Sequence, residues 1–538
     1  MWDISGTWHS SAMAVQPEPC SWAFPMLVAL ASLLVCLAAL YLRNKYAFWE
    51  SRGVRGPRPT WLIGNMYPRL RPTHSMAEYD QLLYSRHGGK RYCGYYEFTI
   101  PCLMVGDPEL LKHVMVKDFD HFTDRSFVRF NEPVMDHMLL GLKGSMWKAV
   151  RSVMTPTFSS GKVKQTLALV KVCANNLLTY CHKHVDMGSS VFEMKEVFGM
   201  FTMDTIASIA FGVNSDSLNN TNNEFSAAAA RFFTPPPRWK RPILFLQFLW
   251  PQIAKYLCLN VIDRTPIHFF TKVVSDTMKY RLENDLRRND FLQLLLDARV
   301  QEHSNDHTSA ARNDGNTKKV NNQVLTDLVI TAQCVLFYIA GYDTTATTLS
   351  FVSYCLALHP DVQQRCMQEI EGVLEKHGGD VSYDAIMEMT YLDMVFAETL
   401  RLYPPAPRVD RTVTKDYILP GTDLTLHRGQ KVTIPIYSIH RDGDHYPNPE
   451  RFDPERFSPE NKARRPHSVY LPFGSGPRNC IGMRFALMEA KVAIVYLLQE
   501  FAFIPSKKTQ VPLIIEQRSG LLKAQDGVWV RLAKRTSE

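Results

Sequence analysis

The chain has 538 residues, 46% of them hydrophobic and 21% charged, a globular composition with material for a large core. The net charge of +8 is spread out, and no Lys/Arg run is interleaved with aromatics, so nucleic acid is excluded as a partner. The eleven cysteines lack framework spacing and mostly lie in apolar stretches, as Cys334 and Cys355 do; they read as reduced core residues of a cytosol-facing protein.

In chain order, the first element is Trp22 to Leu42, an uncharged run of the length that spans a bilayer. No Lys or Arg precedes it, whereas Arg43, Lys45, Arg52, Arg55 and Arg58 follow. The positive-inside rule then places residues 1–21 in the lumen, 22–42 in the membrane as an uncleaved signal anchor, and the rest in the cytosol. Residues 43–65 form a basic, proline-containing connector, and 66–538 form one large, mainly helical domain without internal repeats.

Helical periodicity dominates from Glu78 to Leu498, with strand-like stretches at Tyr92 to Met104 and Val528 to Leu532. Trp147 and Arg151 fall at i, i+4 on one helix face. Cys181-His182-Lys183-His184 points its side chains in different directions and reads as a solvated helix end rather than a metal cluster. Val300 to Gln323 is polar and aperiodic, which predicts an exposed, disordered loop. Leu325 to Leu358 is proline-free and predicts one long helix, with Ala340-Gly341-Tyr342-Asp343-Thr344-Thr345 at its middle. A mid-helix Thr diverts the i−4 carbonyl bond and opens a groove for water. Glu398 and Arg401 share a face of a helix that Pro404-Pro405 ends, and Phe452-Asp453-Pro454-Glu455-Arg456-Phe457 follows.

The most specific feature is Phe473-Gly474-Ser475-Gly476-Pro477-Arg478-Asn479-Cys480-Ile481-Gly482. Its glycines let the backbone turn tightly and approach a flat cofactor, and a helix is expected to begin at the cysteine. A thiolate at a helix N-terminus is favoured by the dipole and free N–H groups. Such a loop suits a thiolate held against a haem iron, with Phe473 at its start and Arg478 within reach of a propionate.

This segment resembles the haem-binding loop of the cytochrome P450 family, whose other motifs recur here in order from Gly56 to Arg531. The likeness is nearest to the vertebrate drug-metabolising branch and thromboxane synthase. It implies a mainly α fold with small β-sheets behind a transmembrane helix. It implies haem b as cofactor, with Cys480 as the iron ligand pushing electron density onto the metal. Thr344 and Asp343 match the oxygen-activation motif, with a hydroxyl to relay protons and an acid nearby. Trp147, Arg151, Arg125 and Arg411 match propionate positions, and Arg456 joins Glu398 and Arg401 in a buried structural network. The pocket is expected to involve Phe127, Ile339, Ala340, Thr344, Ala406, Arg408 and Leu521. Phe232 to Phe270 matches a lid that dips into the membrane.

The resemblance further implies a microsomal monooxygenase in the endoplasmic reticulum membrane, acting on a lipophilic steroid, fatty acid or foreign compound. Electrons would come from NADPH–cytochrome P450 reductase, with cytochrome b5 as a further partner. Lys148, Arg484 and Lys491 are the expected docking cations. Thromboxane synthase rearranges a peroxide and lacks the acid–Thr pair, so Asp343 and Thr344 favour oxygen insertion. A peroxide isomerase or dehydratase and a non-enzymatic haem sensor are the alternatives, separated from it by NADPH consumption.

Overall fold

The computed structural model describes residues 23–535 apart from 71–72, 127–130, 221–222, 235–236, 241, 244–245, 248–250, 258 and 311–323. Helix α1 (Ala23–Tyr46) is apolar and stands off the body, its side chains exposed until Leu42 packs down. At about 1.5 Å per residue its 24 residues extend about 36 Å. Helix α2 (Met76–Arg86) opens with a capping box in which Ser75 and Glu78 satisfy each other's backbone N–H groups.

The strand-like stretch from Tyr92 is a hairpin, β1 (Tyr92–Glu97) and β2 (Ile100–Val105), paired antiparallel. Helices α3 (Gly144–Met154) and α4 (Ser160–Asp186) follow, then strand β3 (Val191–Glu193) and helix α5 (Met194–Ile206). Helix α6 (Thr265–Glu283) leads to α7 (Phe291–Ala310). The polar stretch expected to be a loop from Val300 is therefore helical as far as Ala310, and its remainder lies outside the described residues. A helix without an apolar stripe leaves no period to detect, which is why the pattern misread it.

Helix α8 (Asp327–Leu358) is the predicted long helix, capped by the Thr326 hydroxyl on the Val329 N–H. It crosses the body in contact with α5, α6, α9 (Pro360–Lys376) and α10 (Thr390–Leu402). Strands β4 (Val409–Thr412) and β5 (Lys431–Ile434) complete a sheet in the order β1-β2-β5-β4. Helix α11 (Met483–Glu500) also packs on α8. It begins three residues later than expected, at Met483, because Gly482 is its N-cap. Strands β6 (Phe501–Pro505) and β7 (Trp529–Lys534) pair with each other, and β3 pairs with β7.

Two hydrophobic clusters result. One surrounds α8 and the other lies under the β1-β2-β5-β4 sheet. The nine described cysteines are unpaired. Cys181 is buried while His184 bonds its own helix, and no group of metal-ligating side chains exists among the described residues.

Candidate active site

Residues 472–474 and 478–482 line a cavity of about 440 Å³ together with the middle of α8. Three backbone bonds shape the loop: Gly474 N–H to Leu471 O, Asn479 N–H to Gly476 O, and Cys480 N–H to Phe473 O at 2.8 Å. Gly476 has φ +71°, and a Cβ there would lie 1.8 Å from Met115 O, so only glycine lets the loop press against that turn. The Cys480 thiol opens onto the cavity, where it is accessible. Burial pushes the thiol up, while the Gly482 N–H and the Arg151 and Arg125 charges pull it down.

Four guanidinium groups gather beside this loop. Arg151 donates from Nη2 to Asn479 Oδ1 at 2.8 Å, and Arg125 donates to Arg478 O at 2.9 Å. Arg478 donates to Thr123 O and Leu142 O and lies 4.3 Å from the Trp147 ring centroid. Arg411 on β4 is fully buried behind them. Burial and then the Arg125 charge pull Arg411 down to about 9; burial and the charges of Arg125 and Arg411 do the same to Arg478. Among the described residues, Arg125 Nε and both Nε and Nη2 of Arg411 are buried without a hydrogen-bond partner. Asp124 and Asp410 are the nearby carboxylates, and each spends an oxygen on a backbone N–H.

Such an excess of buried positive charge is stable only beside an anion. A flat group bearing two carboxylates and a metal that takes a thiolate satisfies both the arginines and Cys480, so the residues fit haem. Arg125, Trp147, Arg151, Thr344, Phe473, Arg478 and Cys480 all line the cavity; Arg411 does not reach its wall.

On α8, the Thr344 hydroxyl donates to Ala340 O at 2.7 Å. A Cβ on Gly341 would come within 2.6 Å of Ile206 Cδ1, so this glycine also permits the close passage of α8 over α5. Asp343 was expected as an acid beside the reacting oxygen. Its carboxylate instead turns away from the cavity, is only 3% exposed, and bridges Lys195 Nζ at 2.9 Å and Lys523 Nζ at 3.2 Å. Nothing in the sequence pairs these lysines with Asp343, because both come from distant segments.

Other expectations divide. Ala340, Thr344 and Ala406 line the cavity, whereas Ile339, Arg408 and Leu521 do not, and Phe127 lies outside the described residues. Arg408 is committed elsewhere, pairing with Asp80 at 3.2 Å and Glu97 at 2.8 Å in a buried network that includes Lys431. Lys491 is not a rim cation. It is 2% exposed and engages Ile386 O and Asp393, while Lys148 and Arg484 are exposed. Glu398, Arg401 and Arg456 do come together: Arg401 makes a two-pronged contact with Glu398 at 2.7 and 2.8 Å, and Arg456 Nε is 3.4 Å away. Sequence pattern offered no hint of Asn479 as the partner of Arg151. Nor did it single out Glu489, fully buried on α11, whose carboxyl burial holds well above the usual range despite the Thr345 hydroxyl facing it.

The family model described as cytochrome P450 matches residues 54–530. Cytochrome P450 6k1 of Blattella germanica is 37% identical over 515 residues, covering 95% of this chain and 97% of that protein. Cytochrome P450 9e2 of the same insect is 38% identical, covering 96% of this chain and 98% of its own. Cytochrome P450 3A2 of Rattus norvegicus is 39% identical, with coverage of 94% and 96%.

Proposed function

We propose that this chain, which belongs to the cytochrome P450 family, inserts one oxygen atom of O2 into a lipophilic substrate at the cytosolic face of the endoplasmic reticulum. Membership makes it an oxidoreductase of the monooxygenase class with haem b as its cofactor. Haem, when bound, supplies the iron at which O2 takes up two electrons. With two protons, one oxygen atom goes to the substrate and the other leaves as water. The observation that carries the reading is the shared cavity: Cys480 and Thr344 both line it, together with Arg125, Arg151 and Arg478.

In this scheme Cys480 would hold the iron and Arg125, Arg151, Arg478 and Trp147 would hold the propionate edge, with the buried charge of Arg411 behind them. The Thr344 hydroxyl moves a proton into the cavity, exchanging its bond to Ala340 O for one to oxygen. Asp343 serves as an acid only when one of its lysine bridges opens. Phe158, Phe291 and Phe337 pack on one another with centroids 4.0 to 5.1 Å apart and give the cavity an aromatic wall that suits an apolar substrate. Helix α1 serves as the single membrane span. Exposed Trp239, Ile253, Tyr256 and Leu257 in the lid region add a second interfacial contact.

Thr344→Ala tests the proton role. It is expected to keep haem and substrate binding yet convert NADPH consumption largely into hydrogen peroxide. Thr344→Ser should be milder, and added peroxide should partly restore product. Unchanged coupling of NADPH to product in Thr344→Ala would leave Thr344 as helix packing only.

Electrons are assigned to NADPH–cytochrome P450 reductase, with cytochrome b5 as a further donor. Lys148, next to Trp147, and Arg484, four residues after Cys480, are exposed cations. Reversing both to Glu should slow reductase-driven turnover by about tenfold at low salt, since steering by charge is worth 10–10³ in association rate. Peroxide-driven turnover should be spared, and equal loss of both would point to damaged folding instead.

A further inference from the structure

The foot of α1 is bolted to the body. The Trp49 N–H donates to the Tyr96 hydroxyl and its indole N–H to Tyr95 O, each at 3.2 Å, and the Tyr96 hydroxyl donates to Tyr46 O at 2.8 Å. The connector beyond is fixed as well. The Gly94 N–H donates to Arg55 O at 2.8 Å, and the Asn65 amide donates to Pro57 O and Arg58 O at 3.4 and 3.0 Å. Gly56 runs so close to β1 that a Cβ would lie 1.9 Å from Gly94 O. The charged side chains of this connector therefore project from an immobilised backbone.

They surround a hollow of about 490 Å³, walled by Tyr46, Trp49 and Tyr96 and lined by Arg55, Arg58 and, from the end of α2, Arg86 with His87. Glu50 is its single carboxylate. Among the described residues none of these three arginines has an ion-pair partner, unlike Arg281, Arg401 and Arg408, which each hold a buried carboxylate. Three unpaired guanidinium forks around one hollow form an anion site, and their planar geometry matches phosphate.

What fills it follows from its place. The hollow begins at Tyr46, the last residue of the apolar helix. Nearby, Trp61 and Leu62 stand 63% and 62% exposed at the tip of a turn closed by the Thr60–Gly64 pair, with Leu62 held at φ +62°. An indole and a leucine presented in that way suit the boundary between headgroups and acyl chains. We propose that this hollow binds the phosphate headgroup of an anionic phospholipid, best a phosphomonoester such as phosphatidic acid, from the leaflet facing the catalytic body. The inference rests on α1 being the membrane anchor. Holding one lipid there would fix the body's tilt over the bilayer.

The test uses the full-length chain reconstituted in phosphatidylcholine bilayers containing a minor fraction of phosphatidic acid. Lipid retained on the protein after mild detergent extraction is counted by mass spectrometry. Phosphatidic acid should be enriched over its bilayer fraction, and Arg55→Gln/Arg58→Gln/Arg86→Gln should abolish this. Each cation near an anionic surface is worth about fivefold, so the expected drop is at least about tenfold. Lys415→Gln/Lys462→Gln/Arg464→Gln, which removes the same charge from exposed positions elsewhere, should keep the enrichment. Equal losses in both triple variants, or enrichment that survives the first, would overturn the proposal. Displacement of the lipid by inorganic phosphate would overturn it in favour of a free anion. Carbonate extraction from pure phosphatidylcholine separates the premise: a chain washed off there lacks the anchor, whereas one that stays yet enriches no anionic lipid lacks the site.

Discussion

Cys480→Ala is expected to abolish NADPH-driven oxygenation while the helical body keeps its fold. The sulfur faces a cavity rather than a packed core. Its removal therefore costs little stability, on the order of 1 kcal/mol or less. No other cysteine and no histidine or methionine lines the cavity among the described residues, so nothing replaces the lost ligand. Circular dichroism and thermal melting, run beside product formation, separate the two effects. Product formation surviving in the variant would remove Cys480 from the chemistry, and a collapsed fold would recast the loop as structural.

Arg401→Ala carries the largest expected stability effect. Arg401 and Glu398 are both 0% exposed, and Arg401 also donates to His440 O at 2.9 Å. Truncation strands the Glu398 carboxylate, leaving it the Asp453 N–H at 2.9 Å and the more distant Arg456. A buried charge left with so little support costs about 3–5 kcal/mol. Arg401→Lys should fall between wild type and Ala, because it keeps the charge but not the fork. Denaturant unfolding of the full chain, followed together with haem retention, reads this out. A loss under about 1 kcal/mol, the worth of an exposed pair, would show that the network is not obligate.

Local signals carried the sequence reading far. The Cys480 loop and the Glu398–Arg401 face are each set by residues close in the chain, and α8 is long, apolar and free of proline, so their patterns survive without the fold. Asp343 shows the limit. Its i+1 neighbour Thr344 faces the cavity, whereas Asp343 points about 100° away around the helix and is met there by lysines from α5 and the C-terminal segment. Lys491 shows another limit: proximity to Cys480 suggested an exposed rim, but α11 is buried over most of its length and takes the lysine stem inside with it. Arg411 is marked only by the family resemblance, and it is the Asp124–Thr412 bridge between distant segments that sets β4 against the Arg125 segment.

Whether Cys480 presents a thiolate to haem iron in this cavity is read out by the absorption spectrum of the reduced, carbon monoxide-treated full-length protein. The unsubstituted chain should show the long-wavelength Soret band diagnostic of thiolate ligation, and Cys480→Ala should lose it. A haem-loaded protein without that band, or a Cys480→Ala variant that retains it, would contradict the account.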